Sequence, residues 1–304
     1  SRETSNPTRP ASRSIGWFTS LYPVKLTTSA DLGDTIKTIK EQLRQIPDNG
    51  LGYGVLKHLA APDQRKQIQA LPKPKVTFNY LGQFDASFDA EALLQPADED
   101  SGDERDQHAP LGNELEINGQ IYQGQLSLSW SYSRELYHQP SIYSLIEHYQ
   151  QQLHAIIQHC QSANPSLTPS DVALAGLNQA QLDALPVNHA HIEDLYPLSP
   201  MQQGILFHAL QLGEYDPYFY QRVFALHGEL NATAFINAWQ TTIDRHPALR
   251  SAYLFEDIQS PLQMVFKTRS IDLFEADLRG MHESERWDML MQLKREERNR
   301  GFDF

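Results

Sequence analysis

The chain has 304 residues, 40% of them hydrophobic, enough for two domains or one large one with real cores. It carries 38 Asp and Glu against 25 Lys and Arg, a formal net charge of −13, and no basic stripe that could neutralise phosphates, which argues against nucleic acid as a partner. No apolar run approaches the roughly 20 residues of a membrane span, and Ser1 to Thr4 lack the apolar core of a signal peptide, so a cytoplasmic protein with no membrane partner is expected.

Residues 1–11 are rich in Pro, Ser, Thr and Asn without an apolar period and read as a loop. After Gly16-Trp17-Phe18, residues 21–26 read as a strand. Leu32, Ile36, Ile39, Leu43 and Ile46 then recur at helical spacing up to Pro47 and an Asp48-Asn49-Gly50 turn. A short helix over residues 51–59 precedes a β-branched and aromatic strand over 76–81. Asp98, Glu99, Asp100, Asp103, Glu104 and Asp106 mark a solvated loop. Asn118-Gly119 is a two-residue hairpin signal joining strands over 115–118 and 121–133, where Leu126, Leu128, Trp130 and Tyr132 alternate with Gln and Ser. Ile142, Leu145, Ile146, Tyr149, Leu153, Ile156 and Ile157 define a long amphipathic helix after Pro140. Cys160 on its far end is the single cysteine, can form no internal disulfide, and reads as a buried or half-buried spectator.

Across residues 161–190, Ser, Asn, Pro, Ala and Asp break any period, and this stretch reads as an interdomain linker between residues 1–160 and 191–304. Ser199-Pro200 is a helix start, leading into Met201, Ile205, Leu206, Ala209 and Leu210. A strand over 219–226, a helix capped by Asn231, strands over 250–255 and 262–266, and a charged helix over 283–300 follow. The alternation predicts α/β layers, and no internal repeat is present.

Three segments carry a resemblance. Ser12-Arg13-Ser14-Ile15-Gly16-Trp17-Phe18-Thr19-Ser20 with Tyr22-Pro23, then Ile46-Pro47 through Gly50-Leu51-Gly52-Tyr53-Gly54, then Phe78-Asn79-Tyr80-Leu81-Gly82-Gln83-Phe84 follow the order and spacing of motifs in epimerisation domains of nonribosomal peptide synthetases. Residues 1–160 therefore resemble the C-terminal lobe of such a domain. Tyr196-Pro197-Leu198-Ser199-Pro200-Met201-Gln202-Gln203-Gly204-Ile205-Leu206-Phe207 and Arg245-His246-Pro247-Ala248-Leu249-Arg250 resemble the first two motifs of a condensation domain, in the form that follows an epimerisation domain. Gly301-Phe302-Asp303-Phe304 resembles the segment shortly before its HHxxxDG motif, and residues 191–304 resemble the N-terminal lobe.

The resemblance implies the chloramphenicol-acetyltransferase-like α/β fold, so that the chain would hold two such lobes, mixed sheets covered by helices, from two successive domains. It implies part of an enzyme that converts a carrier-bound L-aminoacyl or peptidyl thioester to its D form and then joins that donor to an acceptor. The substrate would ride on the 4′-phosphopantetheine of a carrier domain, with no cofactor bound directly. Implied partners are peptidyl carrier domains upstream and downstream, an adjacent adenylation domain, and the remaining lobes of both domains. Both families work through the second His of HHxxxDG, and no His-His pair occurs in the chain; of the "EGHGRE" motif, Arg2-Glu3 resembles only the tail. A fragment inactive by itself is therefore expected. The rival is a catalytically silent condensation-like module that recruits another protein. A free-standing acyltransferase of this fold is disfavoured by two different motif sets in tandem.

Tyr80 and Asn79 are the catalytic candidates implied by the resemblance, because removing and returning an α-proton passes through an enolate that a phenol can stabilise and an amide can orient. The other reading of Tyr80 is an ordinary core tyrosine. Trp17 and Phe18 either line a pantetheine channel or, more simply, fill a core. Arg245 and Arg250 either support the condensation site by pairing with the Asp of HHxxxDG or are exposed arginines at a helix end, where cations suit the macrodipole. His189, His191 and Glu193 alternate like metal ligands, but a metal site needs three or four convergent ligands, so they read as a linker coincidence and no metal is expected. A Gly-rich phosphate loop, a nucleophile elbow and a Cys pair are all missing.

Overall fold

The computed structural model describes residues 19–83, 102, 106, 108, 109, 111–212, 218–256 and 258–302. They form mixed α/β layers in two compact units, Ser1–Ser162 and Ala163–Phe304. Of the acidic residues at 98–106, Asp106 alone lies within the described residues.

In the first unit α1 (Leu32–Arg44) begins where the Asp31 carboxylate accepts the Asp34 N–H at 2.9 Å. It ends before the expected turn at 47–50, and α2 (Leu51–His58) and α3 (Pro62–Gln69) follow. β1 (Val76–Gln83), β2 (Leu115–Tyr122) and β3 (Gln125–Tyr132) build one sheet in that order, with β1 and β2 parallel and β2 and β3 antiparallel. The hairpin turns at Gln123-Gly124, whose φ values of 50° and 69° make the mirror-image turn that strand twist favours.

Asn118 and Gly119, expected as that turn, instead sit inside β2 opposite Ser129 and Leu128. The reason is packing: a Cβ on Gly119 would lie 2.7 Å from Leu128 Cδ2 and 3.4 Å from Tyr80 Cδ2. A side chain here would displace the end of Leu128 while only touching Tyr80.

The register sorts the side chains into two faces. Val76, Phe78 and Tyr80 share one with Leu115, Ile117, Leu128, Trp130 and Tyr132. Thr77 and Asn79 share the other with Glu116, Asn118, Ser129 and Ser131. α4 (Gln139–Ser162) packs on the apolar side, where Tyr149 meets Trp130 edge-on with ring centres 5.6 Å apart. Cys160 is exposed, which corrects the expectation of a buried or half-buried thiol. It continues the inward spacing of Leu153 and Ile156, but α4 ends two residues later, and the start of α1 meets its last turn at His159 instead.

In the second unit β4 (Ile192–Pro197), β5 (Ser251–Leu254) and β6 (Leu262–Phe266) form an antiparallel sheet in the order β4-β6-β5. Leu195 and Met264 pack with Ile192 against Val172, Leu182 and Leu185. Residues 163–190, which by composition should offer few apolar anchors, therefore help to build this core. Val172 sits between single 3₁₀ turns at Pro169–Asp171 and Ala173–Ala175, Leu182 lies in a five-residue α5 (Gln179–Asp183) and Leu185 just after it, all on elements too short to show a period.

Two capping boxes, Thr168 with Asp171 and Asn178 with Gln181, hold those turns. His189 fastens the segment: its Nδ1 accepts the Leu167 N–H at 3.2 Å, so its Nε2–H donates to the Leu182 carbonyl at 2.9 Å. α6 (Pro200–Leu212), α7 (Ala232–Arg245) and α8 (Glu283–Arg300) complete the unit, with Asn231 Oδ1 accepting the Ala234 N–H at 2.9 Å at the head of α7.

Residues 21–26 and 219–226, expected as strands, join no ladder among the described residues. Strand composition records only how well side chains suit a pleated, half-buried surface. Here Leu21, Val24, Tyr220 and Phe224 remain exposed. Among the described residues no helix is long and apolar enough to cross a membrane.

Glu114 lies between Tyr137, whose hydroxyl donates to it at 2.7 Å, and Lys75 at 3.1 Å. The Tyr137 bond first, and Lys75 second, hold its carboxyl below the ordinary 4.5, and the same bond pushes the Tyr137 phenol up. A carboxyl lowered by folding contributes stability above its unfolded value and loses it as pH falls through the folded one. The melting-temperature gap between the native chain and Glu114→Gln should thus be constant near neutrality and shrink as pH drops below 4.5. Calorimetry across that range checks it.

The second expected outcome is that residues 167–191 resist a non-specific protease as long as the rest of the second unit does. His189→Ala removes two hydrogen bonds, costs about 1–3 kcal/mol, and should open the segment to early cleavage. Mass mapping of the fragments reads this; rapid cutting between Thr168 and Val187 in the native chain would show the segment to be a loose tether.

Candidate functional site

Asn79 and Tyr80 are consecutive in β1 and so project from opposite faces of the sheet. Asn79 is half-buried and its Nδ2 donates to Asn118 Oδ1 at 3.1 Å across the β1–β2 pair. On the same face Asn113 Nδ2 donates to Thr77 Oγ1, and the Gly112 N–H donates to Glu116. The result is a surface of amides and hydroxyls.

Tyr80 stands on the apolar face beside Gly119. It is 49% exposed, and its hydroxyl makes no hydrogen bond among the described residues, so it is not a satisfied core tyrosine. The phenol can donate to a ligand oxygen outside the sheet. The Asn79 amide cannot reach that oxygen from the same side. Trp17 and Phe18 lie outside the described residues.

Arg245 and Arg250 separate as well. Arg245 is exposed in the last turn of α7, where a cation meets free carbonyls. Arg250, closing the 3₁₀ turn Pro247–Arg250, is only 6% exposed. Its Nη1 donates to Glu193 Oε2 at 2.5 Å and to the Phe266 carbonyl, and its Nε is buried without a partner among the described residues. The exposed-arginine reading thus holds for Arg245 and fails for Arg250.

Glu193, which read as a coincidence of the linker, is the carboxylate that meets Arg250. It is the extra residue of a bulge: Ile192 and Asp194 face the adjacent Phe266 and Val265, leaving Glu193 without a cross-strand partner and free to turn to the arginine. Nearby, burial first and the charges of Asp194 and Glu193 next push the Tyr196 phenol up. His189 spends both ring nitrogens on backbone, and among the described residues no three His, Cys, Asp or Glu side chains gather where a metal ion could be held.

Two partners escaped the reading of the sequence. Asn118 was masked by its local turn signal, although the alternation of Leu115 and Ile117 already assigns it to the polar face. Glu193 had no local signal, because bulges follow from pairing.

A family model described as "Condensation domain" matches residues 2–172 and again residues 192–304. The chain is 36% identical over 298 residues to a subunit of linear gramicidin synthase from Brevibacillus parabrevis, and 36% identical over 308 residues to a subunit of mycosubtilin synthase from Bacillus subtilis. These matches cover 96% and 99% of this chain but 4% and 12% of the relatives, so it spans a small part of their length. Among solved structures it resembles the epimerization domain from the third module of tyrocidine synthetase B, at 34% identity and a TM-score of 0.47, over 53% of this chain and 36% of that one.

Arg250→Ala should lower stability by about 1.5–3 kcal/mol through its charge-assisted hydrogen bonds, whereas Arg245→Ala should change it by no more than about 0.5 kcal/mol. Thermal unfolding of the two variants decides; equal shifts would mean that the Arg250 contacts add nothing.

Proposed function

Because the chain belongs to the condensation-domain family, we propose that it is part of a nonribosomal peptide synthetase in which residues 1–160 complete an epimerisation domain, residues 161–190 connect, and residues 191–304 open the following condensation domain. The observation that carries this reading is the pairing of two different motif sets, ending in Phe78-Asn79-Tyr80-Leu81-Gly82-Gln83-Phe84 and beginning with Tyr196-Pro197-Leu198-Ser199-Pro200, with a family match on each side of residue 190. Similarity over nearly the whole chain to synthases named for linear gramicidin and mycosubtilin supports peptide products.

In this reading the first domain exchanges the α-proton of an aminoacyl or peptidyl thioester held on the 4′-phosphopantetheine of a carrier domain. Thioester conjugation acidifies that proton, and the enolate oxygen that forms attracts a hydrogen-bond donor. The exposed Tyr80 hydroxyl is the group that serves it. Asn79, on the other face, works through its bond to Asn118, keeping β1 in register so that Tyr80 is aimed, and is not itself a contact to the same oxygen.

In the second domain the amine of an acceptor attacks the D-configured donor thioester, and Arg250 with Glu193 stiffens the floor of that site. The His pair and the catalytic glutamate belong to the other lobes. The chain by itself therefore neither epimerises nor condenses, since general acid–base catalysis typically contributes about 10² to 10⁴ in rate. Carrier domains on either side and an adenylation domain are the partners, in the cytoplasm.

The test uses the intact synthetase. Wash-out of the α-proton from a carrier-bound aminoacyl thioester should fall at least about tenfold in Tyr80→Phe, the scale of one lost hydrogen bond to a charged oxygen. Condensation of a supplied D-configured donor should stay nearly unchanged. A folded Tyr80→Phe enzyme with native wash-out removes Tyr80 from the chemistry, and a native synthetase that exchanges no α-proton removes the epimerisation reading itself.

A further inference from the structure

A chain of hydrogen bonds with one direction crosses the second unit. The Ser199 N–H donates to Gln202 Oε1 at 2.9 Å, and Ser199 Oγ accepts the Gln202 N–H at 3.3 Å, a capping box at the head of α6. With Oε1 so engaged, Gln202 Nε2 faces β6 and donates to Gln263 Oε1 at 2.7 Å. Gln263 Nε2 then donates to Ser251 Oγ at 2.8 Å, and the Ser251 hydroxyl donates to the Pro247 carbonyl at 2.9 Å.

A backbone donor ends the chain on one side and a backbone acceptor on the other. Flipping either amide would set N–H against N–H, so a single arrangement satisfies every member. Gln263 is 7% exposed and sits among Leu262, Met264 and Val265, each 2% exposed. An amide there costs free energy unless both its ends are bonded, and here both are.

The far end of the relay is the start of the turn that presents Arg250. Pro247 opens that turn and Arg250 closes it, while the carbonyl that receives Arg250 belongs to Phe266, on the same strand as Gln263. β6 thus holds the arginine from two sides, through its own last carbonyl and through the Gln263–Ser251–Pro247 bonds.

We propose that Gln263 is a positioning residue that couples the start of α6 to the Pro247–Arg250 turn and thereby sets Arg250 against Glu193. The coupling stands on the hydrogen bonds alone; its effect on catalysis rests on residues 191–304 being part of a condensation domain. Two sequence motifs far apart in the chain, Tyr196-Pro197-Leu198-Ser199-Pro200-Met201-Gln202 and Arg245-His246-Pro247-Ala248-Leu249-Arg250, are then one mechanical element.

Two measurements test this. In the full chain Gln202→Met and Ser251→Ala share no direct bond, yet each breaks the relay. Each loses two side-chain hydrogen bonds and should lower the melting temperature by at least about 2–4 °C, the shift expected for one hydrogen bond in a unit of this size. The double variant should lower it by clearly less than the sum, whereas additive shifts overturn the coupling.

In the intact synthetase Gln263→Met keeps the side chain's length and removes both bonds. It should reduce kcat for condensation of a supplied D-configured donor about tenfold, with KM within about twofold and α-proton exchange unchanged. A lower melting temperature with native kcat makes Gln263 structural only and overturns the positioning role. A native synthetase that does not condense at all overturns the condensation reading instead, and the melting-temperature cycle then decides the coupling.

Discussion

Leu262 to Val265 of β6 are buried one after another at the centre of a three-stranded sheet, and a strand shut off on both sides must be given cover from each. On one face the cover is apolar: Val172, Leu182 and Leu185 arrive from the stretch before β4 and meet Leu195 and Met264. On the other face lies Gln263, and there the requirement is met by hydrogen bonds, because an amide in that position must have both its ends satisfied. Most of what distinguishes the second unit descends from these two answers. The first draws residues 163–190 into the fold, and the second ties the head of α6 to the turn that carries Arg250.

The first unit solves a different problem, that of a sheet with one wet side. Ser, Asn and Thr line one face of β1, β2 and β3, and aromatic and aliphatic residues line the other, which α4 meets at Trp130 while Val76, Phe78 and Tyr80 of β1 stay exposed. Period-two alternation then dictates where chemistry can happen. A motif that places Asn79 next to Tyr80 in sequence places them on opposite sides of the sheet. The phenol is left with the exposed edge of the apolar face and a free hydroxyl, while the amide is absorbed into the polar face by Asn118. Gly119 lies between Leu128 and Tyr80, where a Cβ would displace the end of Leu128 and touch the Tyr80 ring. Adjacent motif residues can thus divide the labour of contact and support between them.

Charge is handled with similar economy. Glu114 is held by Tyr137 and Lys75, and Arg250 by Glu193 and a strand carbonyl. The second arrangement needs a bulge, because a regular β4 would spend Glu193 on the ladder or on the opposite face. Arg250 is buried while its carboxylate partner is partly open to water, so the guanidinium is fixed more by the backbone around it than by the ion pair alone.

The helices were legible in the sequence because their signals are local: the polar cap at Asn231, Ser199-Pro200 at the head of α6, the apolar spacing of α1 and α4. The family resemblance was legible for the same reason, since its motifs are contiguous runs. The division into α/β layers follows from their alternation. What the tertiary structure decided are the matters of pairing. Asn118 belongs to a strand and not a turn because β1 lies beside it. Residues 21–26 and 219–226 have strand composition but no ladder among the described residues. The stretch 163–190 looks like a connector until its three buried apolar side chains meet a sheet. Of two arginines in one motif only Arg250 is enclosed. The contacts that settle these points join residues 39 positions apart at Asn79–Asn118, 57 apart at Glu193–Arg250 and 61 apart at Gln202–Gln263, and composition and short-range periodicity carry no information over such separations.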